Sequence, residues 1–210
     1  NDAIHNHKDK QNGHDDGHQD HSIKDAQHAD EQDNYSNQKN GHQQSHHHGG
    51  IDPHTWLSPK NAEIIAKNIY QALSAAYPDY QDTFKENLES FQQSLNELDI
   101  QITNTLKDLH SRAFFSYHPA LSYFSRDYDL EQYSLELAGK TPSSAHLRNL
   151  IDIGKEKEIK IVFLQMQFDQ KNAEVLAKEI DAEIVQINPL DPKWYDQMLF
   201  ITNKIKEKLQ

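Results

Sequence analysis

The residues of this chain that can do chemistry are its histidines. There are 14 of them and no cysteine. Imidazole nitrogen is a ready ligand for zinc, copper or nickel. The lack of thiols excludes disulfides, thiolate metal sites and cysteine nucleophiles. Ten of the histidines fall in residues 1–50, scattered among Asp, Asn, Gln and Gly and closing with His42, His46, His47 and His48. The other four fall in residues 51–210. Two of these stand where a fold can use them: His54, in Asp52-Pro53-His54-Thr55-Trp56-Leu57, and His118, in Ser116-Tyr117-His118-Pro119.

The two groups require different settings. Residues 1–50 carry almost no large apolar side chains beyond Ile4, Ile23 and Tyr35. They cannot bury enough surface to offset chain entropy, so they are expected to be disordered. Imidazoles at that density make a weak, multivalent metal-collecting segment, with low-complexity drift as the plain alternative. Residues 51–210 hold nearly all the core-forming side chains and are the size of one globular domain.

Charge narrows the function classes. The 210 residues carry a formal net charge of −12 with histidines neutral. A nucleic acid or an anionic membrane demands a basic face, so neither is an expected partner. No apolar stretch approaches the roughly 20 residues of a membrane-spanning helix.

Apolar spacing gives the elements. Ser58-Pro59 reads as a helix start, with Ser as N-cap and Pro in the first turn. That helix runs to about Ala76, with Ile64, Ile65, Ile69 and Leu73 on one face, and Tyr77-Pro78 ends it. A second helix starts near Asp79. Its stripe of Phe84, Leu88, Phe91, Leu95, Leu98, Ile102 and Leu106, with Leu109 at the end, makes it long enough to span the molecule. From Arg112 onward, strands at 113–117, 132–137, 160–166 and 183–187 alternate with helices at 119–126, 143–155, 170–180 and 194–209. That alternation predicts an α/β fold: a parallel sheet covered on both faces.

In such a sheet, ligands bind outside the carboxyl ends of the strands. His118 follows the first strand there, and Asn188 and Asp191 follow the last. These three can converge, the latter two as weaker candidates because Asn and Asp beside proline are by default turn formers. His54 can join them if the segment before the helices folds over the same rim. Gln165 and Gln167 either point into that cleft or satisfy loop backbone groups.

The order of DPHTWLSP, a long helix, YHPALSYFSRDYDL, GKTPSSAHL and IVFLQMQFDQKNAEVLAKEIDAEIVQINPL closely resembles one family: the zinc-binding branch of the solute-binding proteins of zinc and manganese ABC importers. The resemblance covers residues 51–210. It implies two α/β lobes joined by a long helix, with the metal between them and His54 and His118 as ligands. On that reading residues 51–78 are a remnant of the N-terminal lobe, 79–110 the linking helix and 111–210 the C-terminal lobe. The family's first lobe supplies a further ligand His that has no counterpart here, so the resemblance implies a chain lacking most of that lobe. Asn188 stands where manganese binders often carry Asp, and nitrogen-rich donors favour zinc over manganese. The implied protein is a monomer outside the cytoplasm, periplasmic or lipid-anchored in full length, that carries Zn2+ to a membrane permease and catalyses nothing. The alternatives are a His-rich zinc or nickel buffer, a manganese-binding member of the same family, and a two-His hydrolase. The last is weakened by the lack of HExxH or a comparable unit.

Overall fold

The computed structural model describes residues 51–137 and 139–210. The expected disorder of residues 1–50 and the collecting role of His42, His46, His47 and His48 lie outside the described residues.

Four strands, β1 (Ala113–Ser116), β2 (Glu131–Ser134), β3 (Ile161–Gln165) and β4 (Glu183–Ile187), form one parallel sheet in the order β2-β1-β3-β4. The chain moves outward from β1 to β2, then crosses back so that β3 lies on the other side of β1. The β1–β3 boundary is therefore the switch point, where the loops leaving the carboxyl ends diverge and open a crevice. His118 follows β1 and Gln165 ends β3, so both belong to that crevice.

Among the described residues there are six α-helices, α1 (Pro59–Ala76), α2 (Gln81–Leu106), α3 (Ser122–Asp127), α4 (Ser144–Glu156), α5 (Lys171–Ile180) and α6 (Trp194–Leu209), of which α2 to α6 cover the sheet. Successive strand residues point to opposite faces. Phe114, Ile161 and Phe163 join Leu98, Ile102 and Leu106 of α2, Phe124 of α3 and Met198, Ile201 and Ile205 of α6. Phe115, Val162 and Leu164 join Leu150 of α4 and Ala173, Leu176 and Ile180 of α5. The α/β architecture expected from the sequence is the one found, with most boundaries within two residues.

The two first helices depart from expectation in burial. Only Leu95, Leu98, Ile102 and Leu106 of the long stripe are buried, and Phe91 is 44% exposed. On α1, Ile64 and Ile69 are more than half exposed. Length explains this. The 26 residues of α2 span about 39 Å, whereas the 16 residues of α6 that pack on it span about 24 Å. The first half of α2 is left to pair with α1, through contacts such as Gln92 Nε2 donating to Glu63 Oε1 at 2.9 Å.

The start of α1 is tied to the sheet layer. Ser58 is fully buried and caps the helix, accepting from the Asn61 N–H at 3.1 Å. Its hydroxyl also donates to Asp127 at the end of α3. Leu57, 1% exposed, is part of the core beside α2, α3 and α6.

On the opposite face, Gly154 of α4 decides how closely that helix approaches. A Cβ there would lie 2.9 Å from Ile180 Cγ2 and 3.0 Å from Phe115 Cε2. Glycine to alanine inside a helix usually gains up to about 1 kcal/mol, but overpacking costs about 1–3 kcal/mol, so the clash dominates. Gly154→Ala is expected to destabilise the fold by about 1–2 kcal/mol in urea unfolding. An equal or higher stability would contradict this packing account.

Candidate metal centre

His54 is positioned by its own short motif. The Asp52 carboxylate accepts from the His54 backbone N–H at 2.9 Å and faces its ring Nδ1 at 2.7 Å. Pro53 between them fixes the backbone for this Asx turn. The turn continues with Thr55 N–H donating to Pro53 O at 2.8 Å and Leu57 N–H to His54 O at 3.1 Å.

Three longer-range hydrogen bonds then lay the motif over the rim of the sheet. Trp56 Nε1–H donates to Pro189 O, in the turn after β4, at 3.0 Å. Trp194 Nε1–H, at the start of α6, donates to Trp56 O at 3.0 Å. Tyr123 O–H, on α3, donates to Asp52 O at 2.9 Å. The segment carrying His54 thus sits on the α/β layer that carries His118.

His118 is held from behind, from one side and from below. Its Nδ1 lies 3.0 and 3.1 Å from the two carboxylate oxygens of Glu136. Phe168, in the loop after β3, stacks on its ring at 5.5 Å and 19°. Gln165, 1% exposed, accepts from the His118 N–H at 3.2 Å and donates to its carbonyl at 2.9 Å. Of the two roles open to Gln165 in the sequence, it takes the backbone-satisfying one. Gln167 is exposed on the following loop.

The result is that the two Nε2 atoms face each other at 3.3 Å, with the rings nearly perpendicular at 73°. The carboxylates at both Nδ1 atoms favour a proton there, which leaves a lone pair on each Nε2. Two acceptor nitrogens this close need a proton or a metal cation between them. Zinc fits that need: bonds of about 2.0–2.1 Å to imidazole at the tetrahedral angle spread the two nitrogens by about 3.3–3.4 Å. Among the described residues no group of three or more His, Cys, Asp and Glu side chains converges on one point, so the candidate is a pair of imidazoles rather than a complete ligand set.

Asn188 and Asp191 make different contacts. Asn188 Oδ1 accepts from Leu190 N–H at 3.1 Å, and Asp191 Oδ1 from Lys193 N–H at 2.8 Å. Their side chains organise the turn that receives Trp56. β3 lies between β4 and β1, which sets the ends of β4 and β1 about 10 Å apart. Two contributors escaped sequence reasoning. Asp52 stands inside the quoted motif and its spacing to His54 was the signal. Glu136 is a carboxylate in a strand-like run between Leu135 and Leu137, a place where charge is rare unless paired.

Replacing Gln165 by Leu would orphan the backbone N–H of His118, while its carbonyl keeps the Ser116 hydroxyl and the Ala120 N–H at 2.8 Å. Gln165→Leu should cost about 1–3 kcal/mol of stability in chemical unfolding. A loss below about half a kcal/mol would mean that His118 is held by other means.

The comparisons with known proteins agree in direction. The chain matches the family described as ZnuA, zinc-uptake complex component A, periplasmic, over residues 4–207. It is 31% identical over 166 residues to the zinc-binding protein AdcA of Streptococcus pyogenes serotype M3, covering 78% of this chain and 32% of that protein. It is 32% identical over 152 residues to the zinc-binding lipoprotein AdcA of Streptococcus pneumoniae, covering 71% of this chain and 30% of that one. A crystal structure of a ZnuA deletion mutant with zinc bound superposes with a TM-score of 0.73 at 35% identity, over 76% of this chain and 62% of the other. The chain therefore spans about a third of the length of these streptococcal relatives.

Proposed function

The chain belongs to the family of periplasmic zinc-uptake components, and from that premise we propose that it binds Zn2+ between His54 and His118 as cargo for a zinc ABC importer. The observation that carries this reading is the 3.3 Å approach of the two Nε2 atoms. Relatives named for zinc binding and a zinc-bound relative support the choice of ion. So does the donor set, since imidazole nitrogen suits zinc better than manganese.

The geometry favours capture without turnover. A hydrolytic metal site needs a base beside the open coordination position. The nearby carboxylates, Asp52 and Glu136, are engaged at the Nδ1 sides of the rings, away from the ion. What the site does is hold. Asp52 and Glu136 orient the imidazoles, while Trp56 and Phe168 pack against them at 5.5 Å. Release then requires something to move His54 relative to His118. The three hydrogen bonds of the 51–58 segment, through Trp56, Trp194 and Asp52, are the contacts a docked permease would have to disturb.

The remaining assignments follow the same reading. Residues 1–50 act as the metal-collecting segment, residues 51–78 and 79–110 as lobe remnant and linking helix, and residues 111–210 as the C-terminal lobe. Asn188 and Asp191 are outer candidates, each with one side-chain oxygen already accepting a turn bond. The protein works outside the cytoplasm as a monomer, with a membrane permease as its partner. No described helix is long and apolar enough to cross a membrane.

One observation favours a second reading, a metal buffer: ten histidines lie in residues 1–50. The two readings separate in one titration. His54→Ala and His118→Ala should each weaken tight zinc binding by more than about 100-fold in chelator competition, with circular dichroism unchanged. Deleting residues 1–50 should leave that tight site in place. Parent-like affinity in both single variants would defeat the site, and loss of all binding on the deletion would favour the buffer.

A further inference from the structure

The buried carboxylate of Glu136 is the least expected charge in the molecule. It is 6% exposed. Among the described residues its ion-pair partner is the His118 ring, with no lysine or arginine beside it. Backbone register puts it there. β1 and β2 pair with Ser116 opposite Ser134. The pairing runs on past the strand ends, with Leu135 N–H donating to Ser116 O at 3.0 Å and Glu136 N–H to Tyr117 O at 2.9 Å. Two residues beyond the last strand pair, Glu136 falls beside His118. Ser134 Oγ donates to the Glu136 carbonyl at 3.0 Å and closes the turn.

A buried carboxylate is costly unless it is hydrogen-bonded or paired. Here both oxygens converge on one ring nitrogen, at 3.0 and 3.1 Å. An ionised carboxylate only accepts, so it takes the Nδ1–H, and in the neutral imidazole that makes Nε2, 3.3 Å from His54 Nε2, the acceptor nitrogen. The carboxylate also places negative charge behind the ring, which makes Nε2 a stronger donor to a cation.

Building on the zinc-capture reading above, we propose that Glu136 is a positioning residue of the site. It fixes His118 in the Nδ1–H tautomer, holds Nε2 toward His54 and raises zinc affinity through the ring without touching the ion. The bland alternative is that Glu136 and His118 are only a satisfied buried pair whose loss costs stability.

The test uses the full chain with Glu136→Gln, Glu136→Asp and Glu136→Leu. Gln keeps an acceptor for Nδ1–H but removes the charge. Asp keeps the charge on a shorter arm. Leu removes both. Zinc affinity is read by competition with a chelator strong enough to strip residues 1–50, and the His118 tautomer by nitrogen-15 NMR of the metal-free imidazole in mildly alkaline buffer. The expected result is a loss of affinity of about 10-fold in Gln and about 100-fold in Leu, with partial recovery in Asp. The parent and Gln proteins should show the Nδ1–H tautomer, and Leu should lose that preference. Parent-like affinity in both Gln and Leu, or an Nε2–H tautomer of His118 in the parent, overturns the role of Glu136 and leaves zinc capture standing. If Leu proves unfolded, Gln and Asp decide alone. A parent that binds no zinc at this site overturns the capture reading and this role with it.

Discussion

Two imidazole nitrogens, each with its proton drawn to the far side of the ring, meet at 3.3 Å. In the neutral rings both are acceptors, and a proton or a metal cation between them satisfies both. The rest of the described structure works to keep that approach from relaxing. Asp52 and Glu136 hold the protons away. Trp56 and Phe168 restrict the rings, and Gln165 satisfies the backbone of His118 where the strand ends. A site held in place in this way leaves little to be ordered when an ion arrives.

The scaffold explains why this happens at one rim. A parallel sheet sends all its β-to-α loops to the carboxyl edge, and the order β2-β1-β3-β4 opens a crevice between β1 and β3. His118 and Gln165 come from those two strands, and Glu136 arrives from β2 by continued register. His54 comes from outside the sheet, which is why its segment needs Trp56, Trp194 and Tyr123 to secure it. The tryptophan pair has a double use: the turn after β4, shaped by Asn188 and Asp191, presents the Pro189 carbonyl that Trp56 requires. Single hydrogen bonds contribute only about 1 kcal/mol each, so the clasp holds the segment firmly without locking it, as the proposed release of an ion requires.

Much of this was legible in the sequence. The four strands and the helices after Arg112 could be read from apolar runs and 3.6-residue spacing, and Ser58-Pro59 from cap chemistry alone. His54 and His118 stood out because their flanking residues define a turn and a strand end. Their pairing was conditional in the sequence, since it depends on where an irregular segment docks, and that is fixed by indole hydrogen bonds spanning more than 130 positions of chain. Glu136 was hidden for a related reason: which residue after β2 falls beside His118 is a matter of strand register, which apolar spacing leaves open. The exposure of Ile64, Ile69 and Phe91 was illegible as well, because a helical stripe reveals an apolar face without revealing whether a partner covers it.

The proposed function requires one ion between His54 and His118. Anomalous X-ray diffraction at the zinc absorption edge, on crystals of zinc-loaded protein, tests it most directly. The account predicts a single strong peak within bonding distance, about 2.0–2.1 Å, of both Nε2 atoms. A peak bound by only one of them, or strong zinc density elsewhere with these two nitrogens bare, would contradict it.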